Sequence, residues 1–189
     1  MGTTCICHLE YAPKDSPPRS GYLGPLEISK NYHLFAALAG VRNGTWGMRI
    51  NPLSEPKGLP ESATSEVKED AAKMAGYAHS HSWHTLRDLL EFDWDQEVPH
   101  ETVIDLDDPR VKAWFDGGNR SIAPPHRIGL VRAHDGSPAD RFRKVAWKQK
   151  LKLDVNDFLE GVLPYLKYIV SYCLPGPPEN IRIVFWFKD

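Results

Sequence analysis

The chain has 189 residues, 41% of them hydrophobic, with six Trp, seven Tyr and seven Phe and a net charge of −2. That length and apolar supply suit one compact domain, read here as residues 1–189. No stretch nears the roughly 18 apolar residues of a membrane helix, no basic-then-apolar leader is visible, and three cysteines argue against a disulfide framework. A cytoplasmic, thiol-reduced setting without membrane contact is expected.

Residues 3–11 read as a strand of β-branched and apolar residues ended by Pro13. Residues 12–29, rich in Pro, Ser and Gly, read as a loop. Asn31 is placed to cap a helix through Leu34, Phe35 and Leu38, which Gly40 would stop. Residues 43–60 are too rich in Gly and Pro for long regular structure. Ser62 opens a polar helix through Val67 and Met74, and residues 77–83 alternate as a short extended segment. Thr85, with Asp88 three residues on, predicts a capped helix carrying Leu86, Leu89 and Leu90 inward.

Residues 116–143 read as loop, with a brief strand over 128–131, and residues 145–153 as a half-exposed strand. Asp154 and Asp157 predict the cap of a long helix reaching Cys173, kinked at Pro164. Its Leu159, Val162, Leu163, Leu166, Ile169 and Val170 recur at helical spacing and should face a sheet. Residues 181–187 form the clearest strand, too apolar to lie at an edge. The expected class is α+β: a mainly antiparallel sheet, helices packed on it, and long Pro/Gly-rich loops.

The net charge conceals a segregation. Residues 84–116 carry ten acids against three basic side chains, whereas residues 119–152 carry nine basic side chains against two acids. Either the two segments pack together and neutralise each other, or the basic one faces an anionic ligand. Long nucleic acid is not expected, because no binding motif accompanies the charge.

The densest polar cluster is His79, Ser80, His81, Ser82, Trp83 and His84. In an extended segment His79 and His81 share one face, and the segment feeds a helix start whose free N–H groups favour an anion, with Arg87 beside it. Cys5, Cys7 and His8 look metal-like, but strand alternation puts the thiols on one face and His8 on the other, so three ligands do not converge. His8 joins His79 and His81 only if its strand lies beside theirs.

Taken together, Cys5 and His8, Asn31-Tyr32 with Leu34-Phe35-Ala36, residues 39–43, Gly58-Leu59-Pro60, the His-Ser-His-Ser-Trp run at 79–83 and the Arg-Ile-Val-Phe-Trp-Phe run at 182–187 resemble a family of small phage-encoded proteins. Its members begin with a Gly-Cys-Asp-Ile-His strand and end on Arg-Ile-Val-Phe-Trp-Phe-Asp. This chain has Ile6, His33 and Lys188 where the pattern has Asp, and Lys57 where it has Arg. With those carboxylates missing, a hard-cation site loses its natural ligands, so no metal or cofactor is expected and binding is favoured over catalysis. The resemblance supplies no activity; analogy with small phage proteins that sequester immune signals points to an anti-defence sponge for a small phosphorylated, nucleotide-type ligand. His79, His81, Ser82, Trp83, Arg87, Arg42, Asn43 and His8 would contact it. The alternatives are a metal-dependent phosphodiesterase using His8, His79 and His81, and a protein inhibitor of a host factor. A homo-oligomer is compatible with each.

Overall fold

The run Ile181–Lys188 (β7) is buried at every position but its last. So apolar a strand belongs at the centre of a sheet, and β7 has neighbours on both edges. Strand β1 (Thr4–Tyr11) pairs antiparallel with its whole length, and β4 (Ala78–Thr85) pairs antiparallel with its other edge. The structure, a computed structural model, describes residues 2–20, 25–107, 109–117, 142–173 and 176–189. It is α+β, and the described chain divides into two compact units: residues 1–43, 50–94 and 154–189, and residues 44–49 and 95–153.

In the larger unit the sheet runs β2-β1-β7-β4, β2 being Arg19–Ser20. The short β2 and β3 (Leu26–Ser29) both pair with β1. These two strands correct the reading of residues 12–29 as loop. Each is too short to show alternation and exists because β1 offers it an edge.

Helix α1 (Tyr32–Ala39) forms as its caps dictate: the Asn31 side chain accepts the Leu34 N–H, and Gly40 closes the helix at φ 67°, which favours glycine. Its Phe35 meets Phe187 edge-on at 5.1 Å. Helix α2 (Ser65–Lys73) starts later than expected, capped by Thr64 and not by Ser62, whose hydroxyl and carbonyl both accept from Arg182. Its Val67 and Ala71 pack with Ile6, Val184 and Trp186 on the other sheet face.

Helix α3 (Leu86–Glu91) carries the expected capping box between Thr85 and Asp88. It buries Leu86 and Leu89, but Leu90 is 39% exposed, since six residues present only one i, i+3 pair inward. The expected C-terminal helix is segmented: π-helical turns at Phe158–Val162 and Ile169–Cys173 flank an α-helix at Leu163–Tyr168. Pro164, which has no N–H to donate, stands where π gives way to α. Asp157 makes no side-chain cap. Phe158, Leu163, Leu166 and Ile169 are buried; Leu159 and Val162 are half-buried. The side chain of Val170 and the strand expected over 128–131 lie outside the described residues.

The smaller unit contains a hairpin of β5 (Glu97–Asp105) and β6 (Phe142–Lys150), followed by a helical turn at Leu151–Asp154 where strand was expected to continue. Helix α4 (Pro109–Asp116) lies between the hairpin strands in sequence. The hairpin alternates sharply: Val98, His100, Ile104 and Trp147 are buried, while Glu97, Glu101, Lys144 and Lys148 point the other way. Lys144 pairs with Glu101 at 2.7 Å, Lys148 with Glu97 at 3.5 Å, and Lys150 and Lys152 with Asp95 at 2.9 and 2.8 Å. The segregated charges therefore meet along one ribbon, at least for the described part of the basic segment.

One polar network is buried in the sheet. Glu10 and Arg182, register partners on β1 and β7, pair at 2.7 Å with side chains 0% and 8% exposed. The second oxygen of Glu10 accepts the Thr64 N–H at 2.7 Å, and Arg182 donates to the Ser62 hydroxyl and carbonyl, both at 3.1 Å. This network ties the entry of α2 to the sheet. Removing one partner strands the other charge, a loss of about 3–5 kcal/mol. Arg182→Met should destabilise the protein by about that amount in urea unfolding, and adding Glu10→Met should recover part of it, less the bond that Thr64 N–H then loses.

Candidate functional site

Strand β4 is an edge strand, and its register against β7 slips. His79 lies opposite Phe187 and Ser82 opposite Phe185, so Ser80 and His81 together stand against Trp186 alone. This is a β-bulge, and Ser80 adopts φ 53°, a left-handed conformation uncommon for a residue other than glycine. The extra residue inverts the alternation. His79 shares a face with Phe187, its ring stacked there at 6.1 Å, whereas His81 lies on the opposite face, 5.5 Å from the Trp186 ring. The expected common face for His79 and His81 is thus corrected: regular alternation would have given it, and the bulge removes it.

His81 instead joins His8. The two imidazoles flank the Trp186 indole, with His8 stacked on it at 4.9 Å. The His8 side chain is only 9% exposed, and its Nε2 is buried without a hydrogen-bond partner, 3.8 Å from an Asp70 oxygen. Burial lowers the His8 pKa, against the pull of Asp70 and Glu10; burial and then the charge on His79 lower that of His81. Both are poised as neutral imidazoles. Trp83 also lies on this face, with Lys57 Nζ 3.9 Å over its ring and the Arg182 guanidinium 5.9 Å from it.

Lys57 comes from a segment along the outer edge of β4, held by Gly58 N–H donating to the His81 carbonyl at 2.8 Å and Lys57 N–H to the buried Ser82 hydroxyl at 3.3 Å. Gly58 makes its bond at φ 79°, a conformation that favours glycine. Sequence reasoning missed Lys57 as a site residue, because only the tertiary fold brings it to Trp83.

The remaining candidates are engaged elsewhere. Arg42 donates to Thr3 and Asp189 at 2.8 and 2.7 Å, and Asp189 lies 3.7 Å from His79, so Arg42 and His79 do meet, away from His81. Asn43 clasps both backbone groups of Ile50, closing its loop. Arg87 is bidentate to Glu179 at 2.7 and 2.8 Å. The expected anion site at the start of α3 is not free, because Thr85 and Asp88 take each other's backbone N–H. Nor do His8, His79 and His81 converge on one point, since β7 and the bulge separate them. An apolar cleft lined by Cys7, Leu9, Leu26, Tyr165, Leu166 and Ile183 holds none of the eight candidates.

No protein-family model, curated protein or solved structure matches the chain. The geometry therefore defines a class only by its parts: an α+β sheet with a bulged edge strand that sorts its histidines to two faces.

The fourth histidine of this region is structural. His84 is fully buried, its Nε2 2.7 Å from the Leu38 carbonyl and its Nδ1 3.5 Å from Lys57 Nζ. A neutral ring donating from Nε2 and accepting at Nδ1 satisfies both contacts. Burial, with Lys57 adding to it, pushes His84 down to about 4 from 6.5, although Leu38 and Asp88 oppose the shift. The unfolded chain then binds the proton more readily than the folded one. Stability is full above pH of about 6.5 and falls as pH drops toward 4, by about 3 kcal/mol if the shift is wholly expressed. Urea unfolding from pH 7.5 to 4.5 should show this decline, and His84→Gln should reduce it, leaving the smaller share of His8 and His81.

Proposed function

We propose that the chain captures a small phosphorylated, nucleotide-derived molecule and holds it, acting as a phage-encoded sponge for an immune signal in the host cytoplasm. The observation that carries this reading is that His8, His81 and Trp83 share one sheet face while Lys57 Nζ lies over the Trp83 ring. Such a set matches the two halves of a nucleotide. An indole offers a stacking surface to a base, while an ammonium and imidazole N–H groups offer donors to phosphate. At the outer edge of β4, which the Lys57–Gly58 segment borders, Lys57 is exposed and His81 half-buried. His8 lies deeper, with its Nε2 unpartnered. Support from the sequence comes from the His-Ser-His-Ser-Trp and Arg-Ile-Val-Phe-Trp-Phe runs, which supply His81, Trp83 and Trp186 to this face.

Calorimetry against a panel of cyclic dinucleotides and ADP-ribose derivatives tests the proposal. One member should bind at micromolar concentration or tighter and be recovered intact after the protein is denatured. His81→Ala and Lys57→Ala should each weaken binding by about 10- to 150-fold, the worth of one hydrogen bond to a charged group. Added salt should weaken it further. Failure of the whole panel to bind, or binding indifferent to both substitutions, contradicts the reading.

A further inference from the structure

The face opposite the proposed ligand site carries a second constellation. Ser80, at the bulge, has its hydroxyl 3.0 Å from His79 Nδ1. The other ring nitrogen, His79 Nε2, is buried without a hydrogen-bond partner and lies 3.7 Å from Asp189 Oδ2. Asp189 is itself fixed: its Oδ1 accepts from the Thr3 hydroxyl at 2.5 Å and from Arg42 Nη2 at 2.7 Å, and Arg42 Nε donates to Thr3 at 2.8 Å. The hydrogen bond from Thr3, then those from and the charge on Arg42, hold Asp189 below the usual carboxylate range and therefore ionised.

Two of the three described non-glycine residues with positive φ, Ser80 at 53° and Arg42 at 61°, belong to this cluster. Backbone strain gathers at sites where a side chain must be aimed against local preference. Neither Ser80 nor His81 has a register partner on β7, so the bulge turns Ser80 out of the ladder, where it is half-buried. Hydroxyl, imidazole and anchored carboxylate thus stand in line, as nucleophile, base and orienting anion do in acyl-transfer enzymes. The two imidazole nitrogens are interchanged here relative to the serine proteases, and the logic survives the exchange.

From this juxtaposition the geometry points to Ser80 as a nucleophile toward small activated carboxylic esters, with His79 as its base and Asp189 as a positioning residue. The Ser80 oxygen bonds to the ester carbonyl carbon while its proton passes to His79 Nδ1. Asp189, facing Nε2–H, stabilises the imidazolium that forms. Collapse of the tetrahedral adduct breaks the carbon–oxygen bond to the leaving alcohol, which takes the proton back from His79. Water, deprotonated by His79, then attacks the acyl carbon; the bond from that carbon to the Ser80 oxygen breaks, His79 returns the proton to Ser80, and a carboxylic acid leaves. One ester and one water become one acid and one alcohol.

The full chain is incubated with p-nitrophenyl acetate, acid-quenched, and mapped by mass spectrometry alongside p-nitrophenolate release. Acetylation at Ser80 with a burst of p-nitrophenolate is expected. Ser80→Gly, which suits a positive φ and so preserves the bulge, should abolish both. His79→Gln should slow them by roughly 100-fold or more. Asp189→Asn should also slow them and move the pH–rate profile to lower apparent pKa, a shift that mere loosening of the fold does not produce. No acetyl-Ser80 in the wild type, or acetylation that persists in Ser80→Gly, overturns the proposal. Nucleotide binding by His81 and Lys57 is read independently on the other sheet face, so either proposal can fail alone.

Discussion

One extra residue in β4 governs what this surface can do. Had the strand kept a strict two-residue alternation, His79 and His81 would project together. With Ser80 in a left-handed conformation, two residues of β4 stand against Trp186 and the faces exchange. His81 turns to Trp186 and His8; His79 turns to Phe187 and Asp189. The bulge can persist because the flanking pairs are secured on both sides. Ahead of it His79 is in register with Phe187; beyond it Ser82, Trp83, His84 and Thr85 follow β7 without interruption. An edge strand tolerates such an insertion more readily than a central one, and β4 is an edge.

The rest of the larger unit supports that strand from both faces. On one face, the buried Glu10–Arg182 pair and the Thr64 backbone dock the start of α2, whose Val67 and Ala71 cover Trp186. On the other, α1 brings Phe35 against Phe187 and the Leu38 carbonyl to His84. Lys57, Gly58 and Ser82 then close the outer edge with two hydrogen bonds. Cys5 and Cys7, buried with their thiol pKa values raised by desolvation, fill the sheet on the α1 side and have no part in the polar chemistry. Placing them opposite His8 is what strand alternation predicts.

Much of the fold could be read from residues whose signals are local. Asn31 and Gly40 bound a helix by their caps, Thr85 and Asp88 form their box within one turn, and the apolar run of β7 announces a central strand. The parts that escaped depend on distant partners. β2 and β3 are strands only because β1 offers hydrogen bonds; β5 carries Pro99 and strong charge, and its identity rests on pairing with β6. The site divided in the same way. The histidine cluster stands out in the sequence, but its sorting depended on a bulge at a serine, which has no local signature as glycine would. Arg42, Asn43 and Arg87 looked like free binding groups, and each is taken by a partner elsewhere in the sequence: Asp189, Ile50 and Glu179.

The sorting of histidines by the bulge is the claim on which both functional proposals stand. It is tested most directly by nuclear Overhauser contacts from the assigned histidine rings in the full chain. The account predicts that His8 and His81 contact the Trp186 indole while His79 contacts the Phe187 ring. A spectrum in which His79 and His81 both contact Trp186, or both contact Phe187, would contradict it.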